Sequence, residues 1–290
     1  MGIIYLITDF GNTDPYVGIL KSRIYNLYSN AKIIDLTHNI NPYDIESACW
    51  FLYYSFLNLE KDSIFCCVVD PGVGSERKPL LIEVQKRYFI LPDNGIFTLV
   101  LEECKRKKLN YRIYEVDVEK LYKIYKKEYK KAYIFFYISH TFHGRDVFAP
   151  LAALVSKKKF KIAKVTKKIK NVKIIPIASP IEVDLDIVGK RSFYAKVVYV
   201  DGFGNLFTNL KILNYRSKKL SLTFKNKKEE EILKIHGLST TFSDQKKGDF
   251  LFYVGSFGFL EIARNQDSAY DFFGSIEKIK QLDIILEILE

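Results

Sequence analysis

Four cysteines in 290 residues, none of them in a C-x-x-C spacing, give no zinc signature. Cys66 and Cys67 are neighbours in an apolar run, so on a strand they point to opposite faces. All four, Cys49 and Cys104 included, are expected to be buried structural thiols. Long apolar runs are also missing. The best, over 132–139, falls far short of the roughly 20 residues that span a bilayer. The opening MGIIYLITDF reaches Asp9 almost at once and has no basic start, so it reads as a strand and not as a signal peptide. Leu6 stands where a myristoylation signal takes Ser or Thr. Neither G-x-x-x-x-G-K-[ST] nor a G-x-G-x-x-G following a strand is present. No RNP, KH, zinc-finger or helix-turn-helix pattern occurs either. These absences argue against membrane insertion and the common nucleotide loops, and they lead to the expectation of a cytoplasmic protein without a membrane partner.

What is present is enough apolar material for a core: 48% hydrophobic residues exclude a largely disordered chain. At roughly 150 residues per domain, the length fits two domains or one large one. Positive charge is in excess, 45 Lys and Arg against 34 Asp and Glu, for a net charge of +11. It concentrates in 105–108, in 120–131 interleaved with tyrosines, and in 157–170. One reading is a nucleic-acid surface. The other is lysines solvating helix faces and loop tips, and without a recognition module the second is preferred, so no nucleic-acid partner is expected.

Along the chain, the first half alternates apolar strands with helical patterns. Residues 2–8, 31–36 and 63–69 read as strands. Val17, Leu20, Ile24 and Leu27 recur on one helical face, with Asp14 as the expected cap and Pro15 at the first position. Asp44 is the expected cap of a helix reaching about Leu59, and Asn94-Gly95 is expected to open another. Residues 80–84 and 88–91 pair around Gln85-Lys86-Arg87, and 147–155 reads as a helix. Continuous apolar strands between helices predict an α/β fold, a Rossmann-like, mostly parallel sheet with helices on both faces. Later, 192–200, 220–224, 250–254 and 260–263 are short strands separated by glycine turns. The expectation is an α/β domain over 1–178 and a smaller β-barrel domain over 179–290, with the charged, aromatic stretch 105–140 containing an excursion from the first.

Chemistry concentrates where strands end. Thr8-Asp9-Phe10-Gly11 places a carboxylate at the first strand end, suited to a ribose diol or merely to a turn. Asp70 and Arg77 flank a loop turned by Pro71, Gly72 and Gly74, and they can form a bidentate pair of structural or functional use. His143 lies between Thr141-Phe142 and Gly144-Arg145-Asp146, just before a helix, and imidazole exchanges protons near neutrality. Pro92-Asp93-Asn94-Gly95 is a turn and helix entry whose polar groups serve a site or simply cap. The run Asp201 to Asn209 joins aromatic faces to amides and a carboxylate, a composition fit to sandwich a planar base.

Taken together, T-D-F-G, D-L-T-H at 35–38, V-V-D-P-G-V-G, P-D-N-G, T-F-H-G-R-D-V-F-A-P, D-G-F-G-N and A-R-N-Q-D-S-A resemble the SAM hydroxide adenosyltransferase family, relatives of the fluorinase and chlorinase. The resemblance runs from Thr8 to about Ala269. It implies an N-terminal α/β domain, a C-terminal β-barrel, and a homotrimer with S-adenosylmethionine (SAM) held at the subunit interface. It further implies attack of water or hydroxide on C5′ of the ribose, releasing adenosine and methionine without metal or other cofactor. The water-activating set falls on Asp70, Arg77 and His143. Asp9 falls on the ribose carboxylate and Tyr43 on an aromatic beside the substrate. Asp201 and Ser256 fall on the amino-acid end, and Phe203, Asn205, Phe242, Arg264 and Gln266 around the adenine. Phe207 stands where the fluorinase has tryptophan.

Departures are visible too: Phe257 replaces an arginine expected toward the methionine carboxylate, the stretch 120–139 is long and lysine-rich, and Arg77 leads almost directly into a strand. Three other readings stay open at this point. One is a SAM-dependent halogenase, which the carboxylate at Asp70 disfavours. Another is a metal-dependent hydrolase built on Asp9, Asp35, His38, Asp70 and His143. The third is a nucleic-acid binder.

Overall fold

The computed structural model describes residues 2–128, 138–185, 192–214 and 219–289. The chain divides into two compact units, Met1–Pro176 and Ile177–Glu290. In the first unit the elements are β1 (Ile4–Thr8), α1 (Tyr16–Leu27), β2 (Ile33–Thr37), α2 (Ile45–Asn58), β3 (Ile64–Val68), β4 (Pro79–Val84) and β5 (Arg87–Pro92). They continue with α3 (Thr98–Arg106), β6 (Tyr111–Val116), α4 (Val118–Glu128), a π-helical turn (Gly144–Phe148), α5 (Ala149–Ser156) and β7 (Thr166–Ile169).

The strands form one sheet of order β2-β1-β3-β5-β4-β6-β7. β2, β1, β3 and β5 run parallel, as their apolar runs between helices predict. β4 pairs antiparallel with β5 and β6, and β6 with β7, so the far half of the sheet is antiparallel. The β4–β5 hairpin turns through Gln85 and Lys86, both at positive φ, the backbone of a primed turn that matches strand twist.

The period of two sorts the strand residues between two layers. Ile4 and Leu6 of β1 and Ile64, Cys66 and Val68 of β3 pack into a cluster with α1, α4 and α5. Tyr5 and Phe65 point the other way. Tyr5 stacks on Phe65, and Phe65 on Phe89, with Phe56 of α2 and Phe97 edge-on to Phe89. Helices thus cover both faces. Cys66 belongs to the first cluster and Cys67 is buried outside it, consistent with opposite faces.

Two local expectations change. Asp44 does cap α2, accepting from the Ser47 backbone N–H at 2.9 Å, but α1 follows Pro15 with no side-chain cap. Proline supplies helical φ there without needing an acceptor, and Asp14 is free to face a cleft. Asn94-Gly95 does not open α3, which begins at Thr98: Asn94 Oδ1 accepts from the Ile96 N–H in the turn before the helix, and Nδ2 donates to the Val69 carbonyl. Within 105–140 the chain supplies β6 and α4, with Leu121 and Tyr125 of α4 buried. Residues 129–137, which hold much of the expected lysine-rich insertion and of the longest apolar run, lie outside the described residues.

In the second unit come β8 (Ile181–Asp184), β9 (Ser192–Ala195), β10 (Val197–Val200), β11 (Leu206–Asn214), β12 (Lys219–Lys225), β13 (Glu231–His236), β14 (Phe250–Val254) and β15 (Phe259–Arg264). Two short helices, α6 (Ala269–Phe273) and α7 (Ile276–Ile279), precede β16 (Asp283–Leu289). β10-β11-β15-β14, with β8 beside β11, form one sheet, and β13-β12-β16-β9 the other. Leu206, Phe252 and Ile262 of the first share a core with Leu222, Phe224 and Leu286 of the second. The single strand expected over 192–200 is therefore two strands in different sheets. Lys196 breaks it, its backbone exchanging hydrogen bonds with Asn209. The β character of this unit is as expected, but among the described residues the ladders do not close into the expected barrel. Among those residues, no helix is long and apolar enough to cross a membrane.

Candidate active site

β1 and β3 lie side by side in register, Thr8 opposite Val68, so the loops leaving them emerge together. The carboxyl ends of parallel strands are where open α/β sheets bind ligands. Here Asp9, Tyr43, Asp70 and His143 line one open cleft of about 370 Å³. Four residues placed apart by sequence are thus brought to one surface.

Arg77 is joined to two of them. Its Nε donates to Asp70 Oδ1 at 2.8 Å, its Nη2 donates to Asp70 Oδ2, and Nη2 lies 2.8 Å from His143 Nδ1. The Arg77 and Asp70 side chains are 7% and 6% exposed. The guanidinium rests on the Phe148 ring, 5.2 Å from its centroid. A guanidinium only donates, so His143 Nδ1 accepts and the neutral ring carries its proton on Nε2. Burial, and then the Arg77 charge, push the His143 pKa below 6.5 against the pull of Asp70 and Asp146. The imidazole is therefore neutral at pH 7, a donor through Nε2, while each Asp70 oxygen keeps a lone pair beyond its bond to Arg77.

Asp9 accepts from the Tyr43 backbone N–H at 3.0 Å. Burial raises its pKa above 3.8, opposed by that bond and reinforced by Asp70. Tyr43 is held at φ 69, and its ring is exposed. Behind Asp9, Thr8 Oγ1 accepts from the Phe10 N–H at 3.2 Å and sits 2.8 Å from His38 Nδ1. His38 Nε2 faces Asp35 Oδ1 at 3.1 Å, and Lys21 holds the same carboxylate. The D-L-T-H residues therefore brace the Asp9 loop and are not gathered with Asp70 and His143. Among the described residues, no three His, Cys, Asp or Glu side chains are grouped as metal ligands. Asp35 and His38 are engaged with Lys21 and Thr8, so the set Asp9, Asp35, His38, Asp70 and His143 does not fit a metal here.

Close packing fixes these loops. A Cβ at Gly74, φ +80, would lie 2.6 Å from the His140 carbonyl oxygen, which locks the 70–77 loop against the segment leading to His143. Asn94 Nδ2 donates to the Val69 carbonyl at 2.8 Å and so steadies the residue before Asp70. Asp146, 1% exposed, accepts from the Ser139 N–H and from Arg145, closing the loop around His143. Composition-level reading missed Phe10, Tyr16 and Phe142, which line the cleft and meet one another at 5.4–6.0 Å. Phe10 and Phe142 sit inside quoted motifs, but Tyr16 carried no signal beyond its place on α1.

In the second unit, Phe203, Asn205, Phe242, Arg264 and Gln266 come together with Asn265 and Asp267 around a pocket of about 540 Å³. Asp201 does not line it. Its Oδ1 accepts from the Phe203 and Asn205 N–H groups and its Oδ2 from the Asn205 amide, each at 2.9 Å, so it shapes the loop. Gly204, φ +82, leaves no room for a Cβ against Ser268. Arg264 is fixed by the Gly248 carbonyl and Asp267. Phe207 packs on Tyr199 at 5.6 Å, outside the pocket, and Ser256 lies exposed at the turn after β14.

These features define a class: an α/β protein with a hydrogen-bonded Asp-Arg-His group at parallel strand ends and, on a separate β unit, a pocket of aromatic faces and amides. The profile of the SAM hydroxide adenosyltransferase N-terminal domain matches residues 4–166, and that of the C-terminal domain residues 195–278. The chain belongs to the SAM hydroxide adenosyltransferase family. The (R)-S-adenosyl-L-methionine hydrolase of Methanocaldococcus jannaschii is 31% identical, over 98% of this chain and 96% of that one. A fluorinase of Actinopolyspora mzabensis is 22% identical over 92% and 91%. The crystal structure of an uncharacterised conserved protein from Thermotoga maritima superposes with a TM-score of 0.78 at 29% identity, over 98% of this chain and 99% of that one.

Proposed function

We propose that the chain hydrolyses S-adenosyl-L-methionine to adenosine and L-methionine, with Asp70, Arg77 and His143 activating the water. The observation that carries this reading is Arg77 bonded to both Asp70 and His143, which line the cleft. A water oxygen attacks C5′, the C5′–S bond breaks, and methionine leaves as a neutral thioether with the electron pair. The attacking oxygen becomes strongly acidic as its bond to carbon forms, so a carboxylate suffices to take the proton. Asp70 is the acceptor; His143 donates from Nε2 and orients the same water. Arg77 holds the Asp70 carboxylate in place through its paired N–H bonds, and such general-base help is worth roughly 10²- to 10⁴-fold. Alignment of water, C5′ and sulfur adds more.

Asp9 takes the ribose hydroxyls beside Tyr43. Phe203, Asn205, Phe242, Arg264 and Gln266 take the adenine, with Phe207 behind them, and Asp201 and Ser256 face the amino-acid end. No metal or other cofactor takes part. A halide in place of water is disfavoured because an anion would approach the Asp70 carboxylate. We further infer a homotrimer acting in the cytoplasm, where four unpaired thiols are at home. Light scattering on the purified protein tests the trimer. The reaction is tested by incubating the protein with SAM in halide-free buffer and chromatographing the products. Adenosine and methionine in equal amounts are expected, and no adenosine above an Asp70→Ala control refutes the proposal.

A further inference from the structure

The register of the five-stranded sheet sets a row of side chains across four strands. Tyr199 of β10 lies opposite Phe207 of β11, Phe207 opposite Glu261 of β15, and Glu261 opposite Tyr253 of β14. Directly opposed residues share a face and touch. Glu261 is the member with no obvious business there: an acid 5% exposed in a β core.

Its surroundings are specific. Glu261 Oε2 accepts from the Tyr253 hydroxyl at 2.7 Å. Oε1 lies where a side chain at residue 255 would be: a Cβ there would sit 1.7 Å from it, so Gly255 is glycine because this carboxyl packs on the backbone just before Ser256. The Tyr253 ring in turn meets Phe242 at 5.1 Å, and Phe242 lines the pocket of this unit. The charged and titratable groups facing Glu261 are Tyr253 from β14, Asp201 from the loop after β10, and Tyr199 at the end of the row; Phe207 from β11 is neutral. Among the described residues no cationic side chain pairs with Glu261 or with Asp201, whose oxygens are taken by N–H groups of its own loop. Burial, opposed by the Tyr253 bond and assisted by Asp201, raises the Glu261 pKa to about 7. A buried acid beside a second carboxylate is relieved when a cation arrives.

We propose that Glu261 is a positioning residue that selects for charge: it fixes Tyr253 and the Gly255–Ser256 turn and, with Asp201, favours a ligand that brings an ammonium group to that turn. This rests on the reading that Asp201 and Ser256 face the amino-acid end of the substrate. The ammonium binds better once Glu261 has given up its proton, so affinity for such a ligand rises with pH through about 7.

The test compares native protein with Glu261→Gln, which keeps the shape and an acceptor for Tyr253 but cannot titrate, and with Tyr253→Phe. KM for SAM is measured from pH 6 to 8, and adenosine, which has no ammonium, is titrated by calorimetry in parallel. Comparison with the variant cancels the ligand's own titration. In native protein KM should fall with rising pH, on the order of tenfold for each unit by which the bound cation lowers the Glu261 pKa. Glu261→Gln should lack that component and show the higher KM above pH 7, while kcat and adenosine affinity change little; Tyr253→Phe should weaken SAM more than adenosine. Parallel native and variant profiles, or equal losses for SAM and adenosine, overturn the proposal. Calorimetry with SAM itself separates this from the reaction: if native protein forms no adenosine yet binds SAM with the Glu261-dependent pH profile, only the hydrolase reading fails. Glu261→Gln should also melt above native protein at pH 8, because an acid with a raised pKa destabilises the fold once pH passes through it.

Discussion

Replacing Arg77 with lysine keeps the charge and removes the fork. The guanidinium makes three contacts at once, Nε to Asp70 Oδ1, Nη2 to Asp70 Oδ2, and Nη2 to His143 Nδ1. An ammonium at the end of a flexible stem holds at most one of these in the same place. A hydrogen bond to a charged group contributes about 1.5–3 kcal/mol, so losing two removes about 3–6 kcal/mol in gross terms. Water entering the open cleft restores part of that, leaving a net destabilisation of about 2–4 kcal/mol. In a domain of this size each kcal/mol moves Tm by about 2–4 °C, so a drop of about 5–15 °C is expected. The effect on rate is larger, because Asp70 and His143 lose the bond that sets their spacing: kcat should fall about 10²- to 10³-fold, within the range of lost acid–base help. Calorimetric melting and initial rates of adenosine release measure both. A variant with kcat within threefold of native and an unchanged Tm would show that the fork neither orients nor stabilises the pair.

Four further outcomes follow from the same geometry. Because burial and Arg77 depress the His143 pKa below 6.5, native activity should hold down to below that pH, and Arg77→Ala should move the acid limb upward; an unmoved limb refutes the assignment to His143. The same depression means stability is fully present above about 6.5 and declines as pH falls through the folded-state value, a slope that His143→Gln should lack. Asp9→Asn should raise KM for SAM about tenfold or more, and the penalty for a 2′-deoxy substrate, large in native protein, should shrink in the variant; full additivity in that cycle would place the diol elsewhere. Gly74→Ala combines positive φ with a Cβ 2.6 Å from the His140 carbonyl oxygen, so it should cost about 2–4 kcal/mol in denaturant melts and lower kcat, and a neutral effect would mean the loop is not locked there.

The parallel half of the first sheet was legible because its strands are continuous apolar runs with caps and turns between them, and alternation alone sorted Cys66 from Cys67. The antiparallel half was not: Tyr111–Val116 alternates charged and aromatic residues inside a lysine-rich stretch, and only its pairing with β4 and β7 makes it a sheet strand. Likewise 192–200 reads as one strand, and the break at Lys196 depends on Asn209, distant in sequence. The motifs singled out Asp9, Asp70, Arg77 and His143, since carboxylates, glycines and an imidazole at strand ends are unusual enough to notice. They did not distinguish Asp35 and His38, which brace a loop, from residues that face the cleft, nor show that Asp201 shapes its own turn.

Residue type and spacing by themselves determined the α/β class, the list of groups able to do chemistry, and the resemblance that named the reaction. Tertiary structure decided which of those groups meet, because hydrogen bonds of 2.8 Å join partners 7 and 66 residues apart. It also decided the proton's place on His143, since only the approach of a guanidinium that cannot accept leaves Nδ1 bare. Glu261 shows the limit most plainly: in sequence it is one acid among 34 Asp and Glu, and only burial, assisted by Asp201 against the bond from Tyr253, raises its pKa to about 7.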